Sequence, residues 1–150
     1  MKIELKEGIY WVGVIDWNIR DFHGYSTPKG TTYNAYLIMG QKVALVDTVK
    51  APFFREMMSG IEEIISPQRI NYLIVNHVEM DHSGSLPQFK EALPGVEVFC
   101  SPRAEEELRL HYGREIPLRV VKTGDALDLG GKTLAFVEVP MALMAGEEGR

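Results

Sequence analysis

Tyr72-Leu73-Ile74-Val75-Asn76-His77-Val78-Glu79-Met80-Asp81-His82-Ser83-Gly84 is the stretch from which the fold of this chain is read. Its apolar start reads as a buried strand, and the pattern Leu86-Pro87-Gln88-Phe89-Lys90-Glu91-Ala92-Leu93 that follows reads as a helix. Between them His77, Glu79, Asp81 and His82 place four potential metal ligands in six positions. Strand-to-helix loops are where α/β folds build their sites. Imidazole and carboxylate together suit iron, manganese or zinc, and the tight spacing lets one turn present all four groups to a small volume. One metal or two could share them. The plainer alternative is a polar loop whose histidines are solvated and whose acids cap the next helix.

Working outward, Ile9 to Ile15 reads as a strand, and Tyr33 to Met39 with Val43 to Val46 reads as a hairpin across Gly40-Gln41. Pro52 to Ile65 repeats apolar residues at helical spacing, with Pro67 beyond its end, so its Met and Phe stripe is expected to be core. Val96 to Cys100 reads as a strand leading into a helix over Arg103 to Tyr112, with Ser101 as its cap and Pro102 at its first position. His111 falls at the negative end of that helix's dipole, and Glu105, Glu106 and Glu107 near the positive end. Leu118 to Lys122, Ala126 to Leu129 and Thr133 to Val137 read as short strands, the last two joined at Gly130-Gly131. Periodicity alone supports a mixed α/β or α+β class and one domain.

With 150 residues, 45% hydrophobic and 25% charged, the chain has the composition of one small globular domain. A net charge of −5 with scattered Lys and Arg gives no footprint for nucleic acid. No apolar run approaches the ~18 residues of a spanning helix, and Met1 to Glu7 lacks the apolar core of a signal peptide. The single cysteine, Cys100, forms no internal disulfide, fits a reducing cytoplasm and reads as a buried structural thiol.

The stretches Trp17 to Tyr25, Gly30 to Ile38, Val46 to Lys50, the H-V-E-M-D-H-S-G segment and Glu138 to Met141 together make the chain resemble the flavodiiron proteins. The resemblance implies a metallo-β-lactamase-like αββα sandwich with a non-haem di-iron centre. His77 and Glu79 would ligate one iron, and Asp81 and His82 the other. The wider superfamily has His where Glu79 stands here, and a carboxylate's hard, negative oxygen favours higher-valent iron. The resemblance also puts His23 close to the iron site, beside the direct ligands or in place of a water.

Complete family members reduce dioxygen to water or nitric oxide to nitrous oxide, with FMN in a carboxy-terminal flavodoxin-like domain. Here that domain is missing, a further family His is replaced by Leu143 or Ala142, and the bridging Asp has no counterpart. The expectation is therefore an incomplete, truncated or split domain over residues 1–150, served by a rubredoxin-type or flavin electron donor. Such a piece should leave apolar surface uncovered near Val120, Leu134 and Phe136 and form a homo-oligomer. Two other readings stand beside this one. One is a zinc-dependent hydrolase in which Asp81 orients a metal-bound hydroxide. The other is a non-catalytic remnant that oligomerises without metal.

Overall fold

The computed structural model describes residues 3–19, 21–22, 25–26 and 29–139. The strands are β1 (Ile3–Lys6), β2 (Ile9–Trp11), β3 (Val14–Asp16), β4 (Asp21–Phe22), β5 (Tyr25–Ser26), β6 (Thr31–Tyr33), β7 (Tyr36–Met39), β8 (Val43–Val46), β9 (Ile70–Ile74), β10 (Glu97–Cys100), β11 (Leu118–Val120), β12 (Ala126–Asp128) and β13 (Thr133–Ala135). The helices are α1 (Phe54–Glu62), α2 (Met80–Ser83), α3 (Leu86–Ala92) and α4 (Pro102–Tyr112). Seven strands form one sheet in the order β1-β2-β7-β8-β9-β10-β11. It is antiparallel up to β8 and parallel from β8 to β11, because α1, α3 and α4 each return the chain to the same edge.

β8 is apolar along its whole length, and β9 and β10 apart from Asn71 and Glu97, because both faces are covered. Val43 and Leu45 of β8, Leu73 of β9, and Val98 and Cys100 of β10 pack in one cluster with Met57 and Ile61 of α1, Leu86 and Phe89 of α3, and Leu108 of α4. The alternate residues Ala44, Ile74 and Phe99 pack with Leu129 beside the β12–β13 hairpin. Phe136 stacks on Phe99 with ring centroids 6.2 Å apart. Leu134 and Phe136 are thus half-buried and Val137 and Val139 after them exposed, whereas Val120, 42% exposed, is paired with Cys100 and so lies on the helix-covered face.

Three expectations hold closely: the hairpin β7–β8, the helix at α1, and the cap of α4, where Ser101 Oγ accepts from Ala104 N at 3.1 Å and Pro102 begins the helix. Ile9 to Ile15 is not one strand. Its first half pairs with β7 in the large sheet and its second half with β6, the chain changing sheets at Val12-Gly13. Tyr33 likewise belongs to β6 and not to β7. A Cβ at Gly13 would run into the Tyr33 carbonyl, so glycine is what lets the two segments approach at the switch. Cys100 is buried, and burial pushes its thiol up to about 11, consistent with a structural residue. Among the described residues no helix is long and apolar enough to cross a membrane.

Candidate metal centre

β8 and β9 run parallel and end side by side, Val46 opposite Ile74. The next residue on β8's side is Asp47, which is 3% exposed and takes φ +62, a conformation costly for a residue other than glycine but tolerated by Asp. Its N–H donates to Ile74 O at 2.8 Å. Its Oδ1 accepts from the backbone N–H groups of Asn76 at 2.6 Å and His77 at 3.2 Å. The carboxylate therefore takes over as hydrogen-bond partner where the strand ladder stops, and fixes the start of the ligand-rich loop.

The other end of the loop is tied to the same segment. Thr48 donates to His82 O through its N–H at 2.7 Å and its hydroxyl at 2.9 Å, and Ser85 Oγ donates to Val49 O at 2.6 Å. Gly84 packs so tightly that a Cβ would meet the Met80 carbonyl oxygen and crowd Lys50 and Ala51. Val49, Val75 and Val78 beside these residues join the helix-side core, so the loop rests on that core.

On this frame the four sequence-chosen side chains lie close together. The His77 and His82 rings are 4.5 Å apart between centroids. His82 Nε2 is 3.1 Å from Asp81 Oδ2, His82 Nδ1 is 3.2 Å from Asp47 Oδ2, and His77 Nδ1 is 4.0 Å from Glu79 Oε2. Burial would by itself lower the His82 imidazolium's pKa, but the carboxylates of Asp47 and Asp81 at its two nitrogens outweigh that and hold it up at about 10. Glu79 occupies the N-cap of α2 but makes no side-chain capping bond, which removes the plainer reading of that acid.

Among the described residues, Glu79 Oε2 and His82 Nδ1 are buried and lack a hydrogen-bond partner. The 3.2 Å approach of Asp47 to His82 Nδ1 is thus a charge contact without hydrogen-bond alignment. Buried polar atoms without partners are uncommon, and binding of an ion is one of the standard reasons for them. The donor set, two imidazoles and three carboxylates on one loop and its neighbouring strand end, suits a first-row transition metal. As the side chains stand, no three His, Cys, Asp or Glu groups among the described residues converge on one point, since His82 and Asp81 face each other.

Asp47 is the residue the sequence reading did not choose as a site member. The available signal was a lone acid at the end of the fully apolar Val43 to Val46 run. His23, Ala142 and Leu143 lie outside the described residues.

A family model described as "ODP family beta lactamase" matches residues 31–147. The chain belongs to the ODP beta lactamase family. This ODP-family chain is 47% identical over 142 residues to a nitric oxide reductase of Moorella thermoacetica, the match covering 93% of this chain and 36% of that protein. Among solved structures, it matches the rubredoxin oxygen:oxidoreductase of Desulfovibrio gigas with a TM-score of 0.89 and 43% identity, covering 94% of this chain and 36% of the other. It matches the flavodiiron protein of Giardia intestinalis with a TM-score of 0.88 and 35% identity, covering 95% and 35%. The flavodiiron resemblance and the metallo-β-lactamase-like fold expected from the sequence are thereby borne out. The ODP-family chain spans about a third of the length of these relatives.

Proposed function

We propose that this chain serves a flavodiiron-type oxidoreductase that reduces dioxygen or nitric oxide, with His77, Glu79, Asp81 and His82 as ligands to non-haem iron. The supporting observation is the pair of buried, unpartnered atoms, Glu79 Oε2 and His82 Nδ1, in a loop already crowded with donors. Iron, when bound, would supply a Lewis acid and an electron-transfer centre for the small diatomic substrate. The chain's own work is to hold the ligands. Asp47 fixes the amides of Asn76 and His77, Thr48 holds the His82 carbonyl, and the Asp81 and Asp47 carboxylates keep the His82 ring between them. Ligation requires a neutral imidazole, so metal affinity should weaken as pH is lowered.

Electrons would come from a rubredoxin-type or flavin donor outside these residues, as the name of the Desulfovibrio gigas protein suggests for that relative. These 150 residues, about a third of the length of the relatives, should by themselves show no sustained turnover. Exposed Val137 and Val139 beside the half-buried hairpin support association of copies through this edge. The buried lone thiol supports a reducing, cytoplasmic setting. Metal analysis of protein purified anaerobically without added metal tests the reading. Iron is expected, zinc would favour the hydrolase, and no bound metal would favour the non-catalytic remnant. Light scattering tests association, for which a clean monomer at micromolar concentration would be contrary.

A further inference from the structure

The phenol of Tyr112, on the last residue of α4, reaches the ligand loop from far along the chain and lies 2.8 Å from Ser83 Oγ. Ser83 is completely buried, and its Oγ is 2.6 Å from the Val78 carbonyl oxygen and 3.2 Å from that of Glu79. A serine hydroxyl has one hydrogen, and a carbonyl can only accept. The hydrogen of Ser83 is therefore committed to the Val78 carbonyl, and Tyr112 must be the donor to Ser83. The result is a directed relay, Tyr112 O–H to Ser83 O–H to Val78 O, ending on the peptide that joins Val78 to Glu79.

We infer that Tyr112 is a positioning residue for the metal centre, acting through Ser83 to fix the Val78 carbonyl and so the angle between the His77 and Glu79 side chains. The role rests on the metal-binding reading above. Asp47 anchors this loop at the amides of Asn76 and His77, whereas Ser83 anchors the next turn from within α2. Tyr112 ties that second anchor to α4, and its ring packs against the helix-side core. In the relay each hydroxyl polarises the next, which favours one orientation of the carbonyl over its alternatives.

Cobalt(II) is the probe, read by isothermal titration and by the visible absorption of the saturated site, with thermal melts alongside. Tyr112→Phe and Ser83→Ala should each weaken cobalt binding about three- to tenfold, the worth of one hydrogen bond. The double variant should bind no more weakly than Ser83→Ala, since both changes break one relay. The absorption bands of the saturated variants should shift, because the ligand geometry has altered. Wild-type affinity and bands in Tyr112→Phe would overturn the role. So would a lowered melting temperature with unshifted bands at saturation, which marks Tyr112 as packing alone. A wild-type protein that takes up no cobalt would overturn the metal-binding reading and this role together.

Discussion

On the helix-covered face of the large sheet, Leu37, Leu45 and Leu73 meet Met57, Ile61 and Phe89, and all six are completely buried. On the opposite face Ala44, Ile74, Phe99 and Leu129 are buried, but Tyr72, Leu127, Leu134 and Phe136 around them are only half so. The Asn76 to Ser83 loop grows out of the first face: Val49, Val75, Val78 and Leu86 bracket it and all join the helix-side cluster. A metal centre needs ligands held by residues that cannot themselves move, and close packing is what removes that freedom. The hairpin side carries the exposed Val137 and Val139 just after β13.

Substitution on the two faces should therefore differ in effect. Phe89→Ala, which empties a completely buried site under α3, should cost about 3–5 kcal/mol in urea unfolding. Asp47→Ala should come next, at about 2–4 kcal/mol. It leaves two loop amides without their acceptor and puts alanine at a positive φ. Asp47→Asn, which keeps a carbonyl oxygen and tolerates that backbone, should recover most of the stability but not the metal affinity. Leu134→Ala on the hairpin should cost only about 1 kcal/mol. A Leu134→Ala penalty as large as that of Phe89→Ala would abolish the distinction between the faces.

The smallest effect is one of pH, at the junction of β3 and β6. Tyr33 O–H donates to Asp16 Oδ2 at 2.7 Å, and this bond, helped by the N–H groups of Asn18 and Ile19, holds the Asp16 carboxyl below its ordinary value. A pKa depressed by folding stabilises the protein fully above the unfolded value of about 3.9 and loses that contribution as pH falls through the lower, folded value. Tyr33→Phe should therefore be less stable than wild type at neutral pH, with the gap narrowing as the solution is acidified below about pH 4. A gap independent of pH would show that the Tyr33 hydroxyl does not act through the Asp16 carboxylate, since phenylalanine keeps the ring and its edge contact with Phe53 at 5.6 Å.

How far the sequence foretells this structure depends on the range of the interaction. The cap of α4 by Ser101, the helical stripe of α1 and the hairpin of β7 and β8 are local, and composition reveals them. The four ligand candidates are legible for the same reason, being close in sequence. Asp47 escapes because its partners are backbone amides of Asn76 and His77, which carry no sequence signature and come within reach only once β8 and β9 are paired. The relay from Tyr112 escapes likewise, since a tyrosine at the end of an amphipathic helix reads as core. The break at Gly13 is hidden inside an apolar run because two short strands in different sheets have the same composition as one long strand.

The central claim is that the Asn76 to Ser83 loop, held rigid by the helix-side core, is a metal site. Anaerobic titration with ferrous iron, comparing wild type with the His77→Ala/His82→Ala double variant, tests it most directly. The wild-type chain should bind iron at least about tenfold more tightly, because two imidazole ligands are lost together in the variant. Equal affinities for the two proteins would contradict the claim.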